Sequence, residues 1–207
     1  MSSINVFLGD FDFVLDELLN FVSIDLVFVE NRVSNKKIID LCRVRGIQYF
    51  IVDGFGDLFE STRNLDIDFC FMASFSIILK QCFIDGCNKI INFHMGDIEV
   101  CRGRHPLPVA IVNNFDFMGF TVHLVDSERI DFGGIVVKVS IPIDYGESYE
   151  FNKNVLFDFV RAVIPSVFRN GFRSCVCDNA SSVYYKPLDS VLLERVVKSD
   201  CLMEFKK

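Results

Sequence analysis

The chain has 207 residues, 51% hydrophobic and 24% charged, which is enough apolar material for one packed domain and too much for a disordered chain. Acidic residues exceed basic ones, 28 to 21, for a net charge of −7, so a general phosphate-binding surface of clustered Lys and Arg is excluded and nucleic acid is not an expected partner. No apolar run approaches the roughly 20 residues that span a bilayer; residues 68–79 (DFCFMASFSIIL) read as a buried strand entering a turn. The opening MSSINVFLGDFD has no basic stretch and is not a secretory leader. The eight cysteines (Cys42, Cys70, Cys82, Cys87, Cys101, Cys175, Cys177 and Cys201) form no CxxC pair, and several lie in apolar runs, where a thiol packs as a small hydrophobe. These features predict a reduced, cytoplasmic protein without a membrane anchor.

In chain order, residues 4–8 (INVFL) form a strand that stops at Gly9. Residues 13–22 place Val14, Leu15, Leu18, Leu19 and Val22 at helical spacing, with Asp12 placed to cap them. A strand at 26–29 precedes a helix at 36–45, capped by Ser34 and ended by Gly46. Strands follow at 49–52, 69–73 and 89–94. Near-continuous apolar strands alternating with helices predict an α/β fold, a mostly parallel sheet covered on both faces. Residues 106–112 form a helix, 121–125 a strand, and 135–141 (IVVKVSI) complete a hairpin that extends the sheet. Residues 152–170 are helical with an interruption at Pro165, and after Gly171 the pattern weakens. The expected division is a main domain over 1–171 and a packed C-terminal appendage over 172–207.

Three histidines are present. Asn92 and His94 are two apart at the end of a strand and share a side. They would meet at the carboxyl edge of a parallel sheet, where ligands bind in open α/β folds. Downstream come Arg102-Gly103, a helix, Thr121-Val122-His123 and Asp131-Phe132-Gly133. This run resembles the formyltransferases that use N10-formyltetrahydrofolate, with the pattern N-x-H, R/K-G, T-V-H and D-x-G-x-I. The resemblance covers about residues 4–141 and implies a Rossmann-like fold.

The resemblance implies that Asn92, His94 and Asp131 are catalytic. An amine attacks the formyl carbon and a tetrahedral intermediate forms. Asn92 can donate to its oxygen, a contact worth about 2.7–4 kcal/mol. His94 can donate or take a proton, and Asp131 would hold the imidazole. The proton passes through Asp131, His94 or water, and no metal is needed. His123 is expected to orient Asp131 or to fill a polar core position. For folate, the resemblance implies Phe75, Ser76, Ile77, Ile78, Leu79, Asp126 and Gly133.

The acceptor separates the branches. A phosphate-binding glycine-rich loop would be expected after the first strand in a glycinamide ribonucleotide enzyme. Here that loop is Gly9-Asp10-Phe11-Asp12-Phe13, whose carboxylates repel phosphate. The loop Arg102-Gly103-Arg104-His105-Pro106 and the segment Tyr184-Tyr185-Lys186 look closer to the sugar N-formyltransferases. The expected substrate is a nucleotide-linked amino (dideoxy) sugar of surface polysaccharide synthesis. It would be bound by Gly9, Asp10, Phe11, Arg102, Gly103, His105, Tyr184, Tyr185 and Lys186. Glycinamide ribonucleotide transfer and an inactive folate- or nucleotide-binding module are the alternatives, and transfer to tRNA ranks low. The resemblance also implies a homodimer, for which the apolar hairpin at 135–141 is the candidate surface. Met95-Gly96-Asp97-Ile98-Glu99 lacks the two prolines common in relatives, implying a more mobile or differently shaped loop beside His94.

Overall fold

A computed structural model describes residues 3–32, 35–175 and 183–206; the expected Ser34 cap lies outside these. Five parallel strands, β1 (Ile4–Gly9), β2 (Leu26–Glu30), β3 (Gln48–Val52), β4 (Ile67–Ala73) and β5 (Cys87–His94), form most of one sheet. A short strand β6 (Cys101–Arg102) stands apart from it. Strands β7 (Phe117–Leu124) and β8 (Ile135–Pro142) then add antiparallel to β5 and to each other, giving the order β3-β2-β1-β4-β5-β7-β8. The strand order turns back between β1 and β4, which opens a crevice at their carboxyl ends. This is the Rossmann-like α/β sheet with its hairpin extension.

Alternation along each strand supplies both faces. Phe7, Val27, Phe71, Ile91 and Phe93 pack on one face. There they meet helices α1 (Asp12–Leu18) and α2 (Lys36–Arg45). Val6, Leu8, Phe28, Cys70 and Ile90 pack on the other face against α3 (Phe55–Thr62) and α4 (Gln81–Ile84). Helices α5 (Pro106–Val112) and α6 (Tyr149–Arg169) join the first face. Each such fully buried Phe or Leu contributes about 1.5–3 kcal/mol over its exposed state.

Several local expectations change. Asp12 does not cap α1: the N-cap is Phe11, with no side-chain bond, and Asp12 is the first helical residue. A carboxylate there still opposes the positive helix end. The helix stops at Leu18, and the amides of Phe21 and Val22 turn back to the Leu18 carbonyl at 2.9 and 3.0 Å. Helix α6 starts earlier than residue 152, because Ser148 accepts from the Phe151 amide at 3.0 Å. It runs through Pro165 without ending. Ile164 and Val167 on either side are fully buried, and that packing outweighs the bond that proline removes. The hairpin is not an apolar surface either: Ile135, Val136 and Ile141 are buried, while Lys138, Ser140 and Pro142 face outward.

The C-terminal segment returns to the core and forms a second, two-stranded sheet. Strand β9 (Val183–Tyr184) pairs in parallel with β6. Helix α7 (Ser190–Val197) is capped by Asp189, which accepts from the Leu192 amide at 2.9 Å. Val196, Leu202 and Phe205 are buried in the core of the first face. Among the described residues no helix is long and apolar enough to cross a membrane.

Candidate active site

Strand β5 sends Ile91 and Phe93 into the core and leaves Asn92 and His94 on the opposite side. Antiparallel pairing sets Asn92 beside His123 and His94 beside Thr121. The Asn92 amide Nδ2 donates to His123 Nε2 at 3.1 Å and to Asp131 Oδ1 at 3.3 Å. His123 is buried, and its Nδ1 lies 2.9 Å from the Leu124 carbonyl. Nδ1 therefore carries the proton and Nε2 accepts. His123 thus orients Asn92 directly and stands 3.8 Å from Asp131.

Asp131 adopts φ +47°, an uncommon conformation that Asp tolerates better than most residues. Its Oδ1 lies 3.3 Å from His94 Nδ1, and its Oδ2 accepts from the Gly103 amide at 2.8 Å. The three residues expected to act together do meet. Burial alone would raise the Asp131 carboxyl, but the neighbouring His94, His123 and the Gly103 amide outweigh it and hold the pKa at about 2. Burial lowers the His94 imidazole below its ordinary value, with Asp131 opposing and His123 adding to the shift. A buried carboxylate therefore faces a neutral imidazole near pH 7. Both hydrogens of the Asn92 amide point at protein partners, so it reaches an incoming oxygen only by releasing one, and Asp131 is the longer contact.

This group opens into a cleft of about 540 Å³ at the carboxyl ends of the strands. Phe75, Ile77, Ile78 and Leu79 form an apolar wall with Met72 and Val125. A flat heteroaromatic ring fits such a lining, so these residues suit a folate. Ser76 also lines the cleft, but its amide and hydroxyl each bond Glu30 at 2.5 Å. Asp126 and Gly133 do not reach the wall. Gly133 is needed where the chain passes Leu124, since a Cβ would fall 2.0 Å from that carbonyl oxygen. Phe11, Gly103, His105 and Tyr184 line the cleft, whereas Gly9, Asp10, Arg102, Tyr185 and Lys186 do not. Gly9 instead permits contact between β1 and β4, and Tyr185 sets its ring edge on Phe115 at 6.0 Å.

Arg32 is a cleft residue that periodicity does not reveal. Its guanidinium pairs with Glu30 at 2.5 Å, bonds the Ser76 hydroxyl and lies 3.8 Å from Asp10. Burial raises the Asp10 carboxyl, against its contacts with Ser74 and Arg32. Lys153, Leu193 and Val197 also reach the wall from helices α6 and α7. The only sequence signal for the α6 and α7 residues is helical spacing, which marks a face and not its neighbour. Among the described residues no group of three His, Cys, Asp or Glu could hold a metal ion.

The class defined here is a Rossmann-like α/β protein with an Asn-His-Asp group at the carboxyl edge of its sheet. Residues 55–168 match the formyl transferase family profile. That is more than half of the chain, and the chain belongs to this family. A methionyl-tRNA formyltransferase of Streptococcus sanguinis is 26% identical over 141 residues, covering 66% of this chain and 45% of that protein. The chain spans less than half the length of the curated relatives it matches. The solved N-formyltransferase from Helicobacter canadensis, described in complex with folinic acid and dTDP-3-aminofucose, superposes with a TM-score of 0.68 at 17% identity, over 89% of this chain and 71% of that one. Glycinamide ribonucleotide transformylase 1 from Symbiobacterium toebii gives 0.70 at 17% identity, over 90% and 95%. At such identities the two superpositions establish the shared fold.

Proposed function

We propose that this protein transfers a formyl group from N10-formyltetrahydrofolate to the amine of a nucleotide-linked amino sugar. The observation that carries the choice of acceptor is the Asp10–Glu30–Arg32 cluster at the ends of β1 and β2. Of the three only Arg32 reaches the cleft wall, and the two carboxylates beside it neutralise its guanidinium, so this end of the cleft offers no free cation to a phosphate ester; the diphosphate of a nucleotide sugar would lie away from it. Sugar hydroxyls and an amine suit that environment better. Tyr184 on the cleft wall supports stacking of a base or sugar face. Residues 1–171 would form the catalytic domain, with 172–207 completing the cleft. Cys42, Cys70 and Cys101, buried as free thiols, support a reducing, cytoplasmic setting.

When bound, the folate supplies an electrophilic formyl carbon. The residues of this chain then hold and move protons. As the amine bonds the formyl carbon, its proton passes to His94, which is neutral through burial; when that carbon's bond to N10 breaks, His94 gives the proton on to N10 and tetrahydrofolate leaves. Asp131 remains ionised and stabilises the positive ring that results. Asn92 swings its longer bond from Asp131 to the oxygen that gains charge. The Gly103 amide keeps Asp131 in place meanwhile.

Coverage of 95% of the Symbiobacterium transformylase favours glycinamide ribonucleotide as the second reading. The test is incubation with N10-formyltetrahydrofolate and each of three acceptors: a dTDP-linked amino sugar, glycinamide ribonucleotide and methionyl-tRNA. The expected product is the sugar, heavier by one carbonyl. A product from glycinamide ribonucleotide or tRNA alone overturns the acceptor, and no product with any amine overturns the reaction.

A further inference from the structure

We propose that Lys138 is a positioning residue for the His94 imidazole, acting through the loop of residues 95–101. His94 on β5 pairs with Thr121 on β7, and Thr121 pairs with Lys138 on β8. Residues in register on neighbouring strands share a face, so these three form one lateral row. The other two members of the row hold the loop that follows His94. Thr121 is fully buried; its hydroxyl donates to the Gly96 carbonyl at 2.7 Å and accepts from the Ile98 amide at 3.4 Å. The Lys138 ammonium bridges two loop carboxylates, Asp97 at 3.3 Å and Glu99.

The loop presses in turn on the ring. A Cβ on Gly96 would fall 2.6 Å from His94 Nε2, and the Cys101 carbonyl lies 3.4 Å from the same atom. Gly119 on β7 admits the loop closely, since a Cβ there would fall 2.5 Å from the Asp97 amide nitrogen. The ring is thus set between Asp131 on its Nδ1 side and the loop on its Nε2 side. The lysine does here what a rigid loop backbone could do by itself. Its side chain is 34% exposed. An ion pair of that kind adds little to global stability, so its effect lies in geometry. Without the ammonium, the Asp97 and Glu99 carboxylates repel and draw Gly96 off the ring.

The inference rests on the role proposed for His94, but its test reads ring position without an acceptor. With only three histidines in the chain, each imidazole Cε1–H signal can be assigned in a carbon–proton spectrum of the full protein. In Lys138→Met the His94 signal is expected to broaden or split and its titration midpoint to move, with His105 unchanged. Amide exchange over residues 96–101 should quicken by about fivefold or more, while β7 and β8 keep their protection. Lys138→Arg, which can still bridge two carboxylates, should restore both. A wild-type His94 signal in Lys138→Met, exchange rising equally across the hairpin, or no recovery with Arg would each overturn the proposal. Full turnover in His94→Ala would instead sink the catalytic role of the ring while leaving the positional result intact.

Discussion

Asp131 carries the site's electrostatics. Its left-handed backbone turns one carboxylate toward the Asn92 amide, the His94 ring and the Gly103 amide together. Held at about 2 against an ordinary 3.8, the carboxyl favours folding in its ionised form. That contribution is complete above about pH 4 and is lost as pH falls through about 2. Acid titration of Asp131→Asn should therefore show a shallower stability loss across that window than wild type. The same variant removes the charge that holds His94 up, so the midpoint of His94, already below 6.5, should fall further. Turnover in Asp131→Asn should drop by about a hundredfold or more at neutral pH. In the wild type, kcat/KM should be level near pH 7 and decline only as His94 protonates at a pH below its ordinary value. Asn92, His94 and Asp131 were legible through the resemblance of the whole run to a known family, since the Asn-x-His spacing alone says little. The Gly103 amide bond to Asp131 was not, because a backbone donor leaves no mark on residue identity. Arg32 was hidden for a related reason: its partners Glu30 and Ser76 meet only when β2 and the turn after β4 are adjacent.

Helices and strands differ in how openly they were written. The strands are continuous apolar runs flanked by turn residues, so the parallel sheet could be read directly. Helix α3, FGDLFEST, could not: Gly56 and Asp57 interrupt its first turn, and only Leu58 and Thr62 are buried. Packing of Leu58 on the second face of the sheet makes the helix. Leu58→Ala should cost about 2–5 kcal/mol in urea unfolding. Helix α6 carries the opposite lesson, since Pro165 reads as a break and is spanned. Replacing it restores an amide donor in the last turns, so Pro165→Ala should stabilise the protein by about 1–3 kcal/mol, seen as a raised denaturation midpoint. Formyl transfer should not change, because Pro165 is away from the cleft wall.

At the scale of the molecule, the crevice between β1 and β4 becomes a binding cleft only with help from distant chain. Tyr184, Leu193 and Val197 supply part of its wall. Tyr184 was legible from the Tyr184-Tyr185-Lys186 segment, whereas weak patterning after Gly171 concealed Leu193 and Val197. Deleting residues 172–207 removes Val196, Leu202 and Phe205 from the core, at about 1.5–3 kcal/mol each. The shortened chain should melt at a lower temperature and need more acceptor for half-maximal rate. Strand β9 also holds the turn that anchors Asp131: the Tyr185 amide donates to the Arg102 carbonyl at 3.0 Å, one residue before Gly103. During synthesis on the ribosome, the sheet and its three polar residues emerge well ahead of this brace. The nascent chain would therefore own all three polar residues before the cleft has its full wall, and would hold an acceptor weakly until residues 183–205 clear the exit tunnel and dock.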